Sequence, residues 1–317
     1  MLFEAADEID FLYWPASSDN IYYSCYGSYS YYENYYGYSW PLHAVDVNTG
    51  NSWKVATIKT SPGAQIYKKD DKIYYFDDTE YNYLNIKLYS VNVSGSVPVL
   101  VRDSLESPIF SEKYIASFKS YFLADTNYTK AVLYDLDTGI ETIIESDITE
   151  VPLSISPDGS TLLMISRDLN NNNKYLLYDT QTKQRNILSA SPNLNLYGFF
   201  WVNNEVYALK GLSNYFEIIN VVTGNKLTYP ESLDYNKQYI ISPSGSILAY
   251  ITVEYPELAS GLVGNHYYLN ILKAGESKKR IIDLERDDYI QGTMVFSPDE
   301  TRIAYLRNSD EIYLLNL

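Results

Sequence analysis

The stretch Ile155 to Ile165, ISPDGSTLLMI, decides the fold. An apolar strand end runs into Ser-Pro-Asp-Gly, and a second apolar strand leaves it at once. Pro157 sets one turn angle, Asp158 is placed to accept from the backbone ahead of it, and Gly159 tolerates positive φ. The same hairpin returns at Ile241 as ISPSGSILAYI and at Phe296 as FSPDETRIAYL. A hairpin that recurs along one chain marks a repeat architecture in which each copy is one small unit.

Outward from these hairpins, short stretches rich in Val, Ile, Tyr and Leu follow one another without a helical period. Apolar or aromatic anchors stand at Trp14, Tyr67, Phe110, Ile155, Trp201, Ile241 and Phe296, 40 to 55 residues apart. A second marker is the turn after each third strand. It ends at Gly50 (VDVNTG), Gly95 (VNVSG), Gly139 (YDLDTG), Lys183 (YDTQTK), Gly224 (INVVTG) and Gly275 (NILKAG), 41 to 51 residues apart. Both markers keep a beat of about 45 residues, the spacing of four-stranded propeller blades. The expectation is an all-β chain forming a seven-bladed β-propeller, with six or eight blades as alternatives, in one domain spanning 1–317. The last third strand is Glu311 to Leu317, so its blade lacks a fourth strand. Residues Leu2 to Ala6 are the expected donor, which would close the ring and remove two exposed edges.

This pattern resembles the TolB-like, or PD40 (WD40-like), β-propellers, whose blades carry an SPDG…IAY hairpin followed by L…D..TG. The match is good at Pro157, Pro243 and Pro298, degenerate in the other four blades, and extends over nearly the whole chain. The resemblance implies the fold. Its relatives include periplasmic scaffolds, sugar- and protein-binding modules, and propellers that gate prolyl-oligopeptidase-type hydrolases, so no partner carries over. TolB itself usually has six blades, and a count of seven departs from it.

The net charge is −16, from 24 basic and 40 acidic residues, with a pI near 4.5. Phosphate-backbone recognition depends on Lys and Arg, so nucleic acid is excluded as a partner, and anionic membranes are disfavoured for the same reason. No apolar run is long enough to span a bilayer, so no direct membrane insertion is expected. MLFEAADEID lacks the basic and apolar regions of a signal peptide. The expected location is extracellular, periplasmic or cell-surface with the leader removed, and cytoplasmic is the alternative. Cys25 is the one cysteine, so no intramolecular disulfide forms.

Connections between second and third strands carry nearly all the length variation, and variable loops on a rigid scaffold are where function gathers. The first such stretch, from Tyr22 to Trp40, reads YYSCYGSYSYYENYYGYSW. Tyr offers a rigid aromatic face with one polar tip at low entropy cost, while Ser and Gly adapt the backbone, as in antibody paratopes. The candidate ligand-binding residues are therefore Tyr29, Tyr31, Tyr32, Tyr35, Tyr36, Tyr38 and Trp40. Tyr81, Tyr83, Tyr121, Tyr128 and Tyr255 come from the later loops. The competing account is a long hairpin whose tyrosines pair across strands and pack on the neighbouring blade.

No cofactor and no metal site is expected. The loop acids Asp77, Asp78, Glu80, Asp125, Asp168, Glu254 and Glu257 lack EF-hand spacing and read best as solvated charges. There is no G-x-S-x-G, and Cys25 has no His nearby in sequence. His43 and His266 read as lone residues opening third strands, too far apart to share a metal. The expected function is a non-catalytic binding module for a carbohydrate or a protein partner. A lyase or glycosidase working in the central funnel, or an accessory propeller of a larger hydrolase or surface protein, are the alternatives.

Overall fold

The computed structural model describes residues 1–6, 8–15, 18–25, 28–32, 35–59, 66–77, 85–123, 126–146, 149–167, 173–188, 196–202, 204–211, 216–229, 239–254, 266–273, 279–284 and 290–317. Among these the chain forms strands and no helix. They are β1 (Phe3–Glu4), β2 (Ile9–Tyr13), β3 (Asn20–Cys25), β4 (Ser28–Tyr32), β5 (Tyr35–Asp46) and β6 (Ser52–Lys59). Next come β7 (Ile66–Lys69), β8 (Lys72–Asp77), β9 (Ile86–Asn92), β10 (Val99–Phe110), β11 (Tyr114–Leu123), β12 (Thr126–Asp135) and β13 (Glu141–Ile143). Two four-stranded sets follow: β14 (Thr149–Ile155), β15 (Thr161–Arg167), β16 (Asn173–Asp179), β17 (Arg185–Ile187); then β18 (Leu196–Val202), β19 (Glu205–Gly211), β20 (Phe216–Asn220), β21 (Lys226–Tyr229). The chain ends with β22 (Tyr239–Ile241), β23 (Ile247–Glu254), β24 (His266–Lys273), β25 (Lys279–Leu284), β26 (Ile290–Phe296), β27 (Arg302–Arg307) and β28 (Glu311–Asn316).

Each sheet is an antiparallel meander of consecutive strands: β14 to β17, β18 to β21 and β22 to β25. Second strands read as unbroken apolar runs because both their faces are covered, as in β3, β8 and β27. Fourth strands such as β17 are exposed along their length. One sheet runs through β7 to β13 in order, joining the blades expected at Tyr67 and Phe110. The join is the twelve-residue β10. The chain bends within it at Asp103-Ser104 and Ser107-Pro108, where the φ angles of Ser104 and Ser107 are +58° and +44°. Beyond that bend it pairs with β11 (Ile109 with Ala116, Phe110 with Ile115).

The chain opening pairs with its end. β1 lies antiparallel to β28 with Phe3 opposite Ile312, and Leu2 N–H donates to the Ile312 carbonyl at 2.8 Å. Ile21, Tyr23 and Val45 from the first blade share one core with Ala304, Leu306 and Ile312 from the last. Burying each such side chain contributes about 1.5–3 kcal/mol, so this contact outweighs the two-residue ladder itself.

By contact density the chain divides into two units, 1–73 with 90–99 and 234–317, and 74–89 with 100–233. In the first, a second core gathers Ile247, Ala249, Leu269, Ile271, Phe296 and Ile303. In the second, one core is built on Ala116, Leu133, Ile155, Leu162 and Met164, and another on Phe76, Leu88 and Ile115. Phe76 stacks on Phe110 at 4.1 Å in the latter unit.

The Ser-Pro turns have one internal wiring. The Ser156 hydroxyl accepts the Thr161 N–H at 2.9 Å and donates to the Asp158 carboxylate at 2.7 Å. Ser297 does the same with Arg302 N–H and Asp299, at 2.9 and 2.6 Å. Ser242 accepts the Ile247 N–H at 3.1 Å. All three serines are fully or almost fully buried. Within each unit, neighbouring turns are also stitched together. Glu112 N–H donates to the Pro157 carbonyl at 2.7 Å, and Asp158 N–H to the Asn204 side chain at 3.3 Å. Ser244 donates its hydroxyl to Glu300 at 2.6 Å. Glu300 occupies the left-handed position that Gly159 and Gly245 hold elsewhere, at φ +58°, and its side chain is the bridge.

The second turn type is capped by an acidic side chain. Asp46 accepts the N–H groups of Asn48 and Thr49, Asp135 those of Asp137 and Thr138, and Asp179 those of Gln181 and Thr182. The Thr49 and Thr182 amides hold Asp46 and Asp179 below the usual carboxylate range. At Asp135 partial burial pushes the other way, and the Thr138 and Asp137 amides outweigh it. Asn220 performs the same capping as a neutral amide.

Two predictions follow from these turns. A Cβ on Gly159 would lie 2.8 Å from the Tyr114 ring and 3.0 Å from the Ser111 hydroxyl, whereas one on Gly224 meets nothing within 4 Å. Both glycines have φ above +70°. Gly224→Ala is expected to cost about 1 kcal/mol from φ alone, and Gly159→Ala about 2–4 kcal/mol with the clash added; equal urea midpoints for the two would refute the packing account. The second concerns acid. The depressed Asp values mean a stabilisation present above the ordinary carboxylate pKa near 3.8 and lost as pH falls through the folded values. The triple variant D46N/D135N/D179N should therefore lose less stability than the parent between pH 4 and 2, measured as urea midpoints.

Candidate functional site

The tyrosine-rich stretch is a strand ribbon rather than the loop expected from Ser24 to Pro41. Tyr has high strand propensity, and alternation with Ser and Gly lets two such strands pair. β4 and β5 lie antiparallel with Tyr29 opposite Tyr38, Ser30 opposite Gly37, Tyr31 opposite Tyr36 and Tyr32 opposite Tyr35. Among the described residues β2 pairs with β3 as far as Ile9 opposite Cys25, and β6 with β5 as far as Ser39 opposite Lys59.

Trp40 does not belong to a surface. It is 1% exposed, at the base of the ribbon where β6 still covers β5. Its assignment as a ligand contact is corrected: strand parity turns it onto the same buried face as Leu42 and Ala44. The tyrosine pairing across strands is the hairpin that competed with the open-loop account.

The third blade repeats the geometry. β11 and β12 stay paired to Leu123 opposite Thr126, so the loop expected from Ser120 to Thr129 is also mostly strand. Tyr121 stands opposite Tyr128, and the Lys130 ammonium lies 5.9 Å from the Tyr121 ring centre. Lys130 is also ion-paired with Glu145, and the Ser120 hydroxyl donates to Glu106 at 2.8 Å. Tyr81, Tyr83 and Tyr255 lie outside the described residues, as do Asp78, Glu80, Asp125, Asp168 and Glu257. Glu254 ends β23 opposite His266. Among the described residues no three His, Cys, Asp or Glu side chains gather as a metal site.

His43 does not open a third strand, because β5 begins eight residues earlier at Tyr35. Its ring stacks on Tyr23 at 5.3 Å, and Phe3 touches the same tyrosine at 5.5 Å. Burial first, then the Lys54 ammonium opposite, push the imidazole below its usual pKa. Burial also raises the Tyr23 phenol to about 12, although it hydrogen-bonds the Ser52 hydroxyl at 2.7 Å. This cluster locks the opening strand to the first blade. Sequence reasoning missed another aromatic group at a connection between second and third strands. The Arg307 guanidinium lies 5.3 Å from the Tyr313 ring centre, and Tyr305 stacks on that ring at 5.6 Å. The signal was present as Arg and Tyr flanking a short polar turn, but EIYLLNL read only as the last third strand.

No protein family and no curated protein matches the chain by sequence. Solved structures do match it in shape. An oligogalacturonate lyase in complex with manganese aligns over 100% of this chain and 98% of its own, at 13% identity and a TM-score of 0.54. Kuenenia stuttgartiensis hydrazine synthase aligns over 99% and 97%, at 13% identity and a TM-score of 0.55. The fold is a TolB-like β-propeller. TolB from Acinetobacter baumannii also aligns, over 88% of this chain and 72% of its own, at 16% identity and a TM-score of 0.43. At such identities the propeller shares architecture with these proteins and nothing more.

The burial of Trp40 gives a direct check. Trp40→Ala should destabilise the propeller by about 3–5 kcal/mol through the cavity it leaves, read as a shift in the urea midpoint. A change below 1 kcal/mol would return Trp40 to the surface.

Proposed function

We propose that this chain is a non-catalytic binding module: a single seven-bladed propeller over 1–317 that works outside the cytoplasm. It presents tyrosine-rich second-to-third-strand connections to a carbohydrate or a protein partner. One observation carries the reading. The β4–β5 register sets Tyr29 opposite Tyr38, Tyr31 opposite Tyr36 and Tyr32 opposite Tyr35 in one antiparallel ribbon. Tyrosine supplies contact area and a hydroxyl at small entropic cost, the composition that recognition surfaces favour. The paired tyrosines Tyr121 and Tyr128 add a second aromatic ribbon at the same kind of connection. The resemblance to TolB-like proteins supports the location, and the charge of −16 fits a partner that is not a polyanion.

A glycan-active lyase or glycosidase is the second reading. It draws on the full-length likeness to oligogalacturonate lyase. Both are tested together by changing Tyr29, Tyr31, Tyr32, Tyr35 and Tyr36 to Ser as a block. Labelled parent and variant are compared on an array of neutral and acidic glycans, with circular dichroism to confirm folding. The expected outcome is that binding disappears while the β-sheet spectrum persists. Unchanged binding by the block variant overturns the tyrosine-face reading. New reducing ends, or absorbance from unsaturated products on incubation with the bound glycan, overturn the non-catalytic one.

A further inference from the structure

We infer that the opening segment of the chain is a latch released by mild acid, held shut while the imidazole of His43 is neutral. Its backbone holds it lightly. Leu2, Ala5 and Ile9 donate their N–H groups to the carbonyls of Ile312, Asp310 and Ser309 at 2.8, 2.8 and 2.6 Å. β1 is two residues long, against six in β28. Met1 and Glu4 are exposed, and Phe3 is half-buried. What seats the segment is the Phe3 ring, 5.5 Å from Tyr23, and the His43 imidazole stacks on the same tyrosine at 5.3 Å. Tyr23 is almost wholly buried. Lifting Phe3 admits water beside Tyr23 and to the imidazole against it, so opening of the latch and protonation of His43 are linked.

The groups around His43 oppose a positive charge there. Lys54 stands opposite it on β6 and Tyr23 opposite it on β3, with Cys25 in the same core as Tyr23. On β1 and β28 the acids are Glu4 and Glu311, opposite each other, and strand alternation turns both away from the face of Phe3 and Ile312. None of these residues offers a carboxylate to an imidazolium. A protonated ring gains some attraction to the Tyr23 face, but burial first and the Lys54 ammonium second push its pKa below the ordinary 6.5. The closed latch therefore favours the neutral ring. Its closure is fully present above pH 6.5 and is lost as pH falls from there through the lower closed-state value. His266, on β24, is the one other histidine of the chain, so few groups titrate in that window.

The experiment is amide hydrogen exchange of the full chain at about pH 7.5 and about pH 5.5, each amide corrected for its intrinsic rate. The Ala5 and Ile9 amides should lose roughly threefold or more of their protection at the lower pH, while Thr161, held by the Ser156 hydroxyl, stays within about twofold. His43→Phe keeps a ring against Tyr23 that takes no proton and should flatten the response to within about twofold. His43→Gln gives the same reading should the Phe variant fail to fold, and His266→Phe should respond as the parent does. Phe3→Ala should speed exchange of both latch amides at both pH values. A response that survives in the folded His43 variants, one shared equally by Thr161, one abolished by His266→Phe, or none in the parent each overturns the inference. Unchanged rates in Phe3→Ala overturn it as well, because the ring would then not seat the segment.

Discussion

The structure depends on one constraint: a chain that reverses between two strands, the second buried on both faces, must leave no peptide group unpaired in the reversal. An unpaired buried N–H costs about 1–3 kcal/mol, and the turn recurs around the fold. The buried serine resolves this locally. Its hydroxyl takes the N–H of the residue five positions on and, at Ser156 and Ser297, passes its own proton to the Asp two residues ahead. Because the turn is closed from within, its outward groups are free to reach the next turn, as Glu112 and Ser244 do. Glu300 shows how strong this demand is. A left-handed residue that would ordinarily be Gly is retained as Glu where its carboxylate bridges two turns.

The other turn type solves a different problem. It lies between third and fourth strands at an exposed corner, so its amides have water as an alternative partner and the capping carboxylate gains less. That is why Asp46, Asp135, Asp179 and the neutral Asn220 are interchangeable there. Beyond the Asp135 and Asp179 corners the fourth strands β13 and β17 have three residues each and are largely exposed. Short edges limit unwanted pairing with other chains. The last sheet takes its edge strand from the other end of the chain, and there the shared core of Tyr23, Val45, Leu306 and Ile312 supplies what the two-residue ladder lacks.

The turns were legible in the sequence because their chemistry is local: Pro157, Asp158 and Gly159 each meet a backbone need within a few residues. The pairing of Leu2–Ala5 with the chain end was legible by counting strands. What sequence reading misjudged depends on partners far along the chain. Tyr, Ser and Gly between Tyr22 and Trp40 fit a loop or a strand equally well, and only cross-strand pairing decides between them. Trp40 looked like one more aromatic of the same tract. It is 1% exposed and stands opposite Ile58 of β6, a partner the tract itself does not reveal. β10 misled for a similar reason. Asp103-Ser104 and Ser107-Pro108 carry turn residues, yet they bend one continuous strand that serves two blades, with Ser104 and Ser107 at positive φ.

Strand parity ties the ribbon to the core beneath it. On β5, the positions Tyr36, Tyr38, Trp40, Leu42 and Ala44 share one face, and the last three are buried. Along β5 these alternate positions change from Ala44, Leu42 and Trp40 to the tyrosines Tyr38 and Tyr36. A face meant only to extend the core would continue in Leu, Ile and Val, which gain more from burial and bring no hydroxyl to satisfy. A face meant only for water would carry charge, and this one carries none at those positions. Tyrosine is the residue that tolerates both states, apolar when covered and hydrated at its tip when not. The change of residue type at Ser39 is the compositional ground on which the proposed recognition role rests.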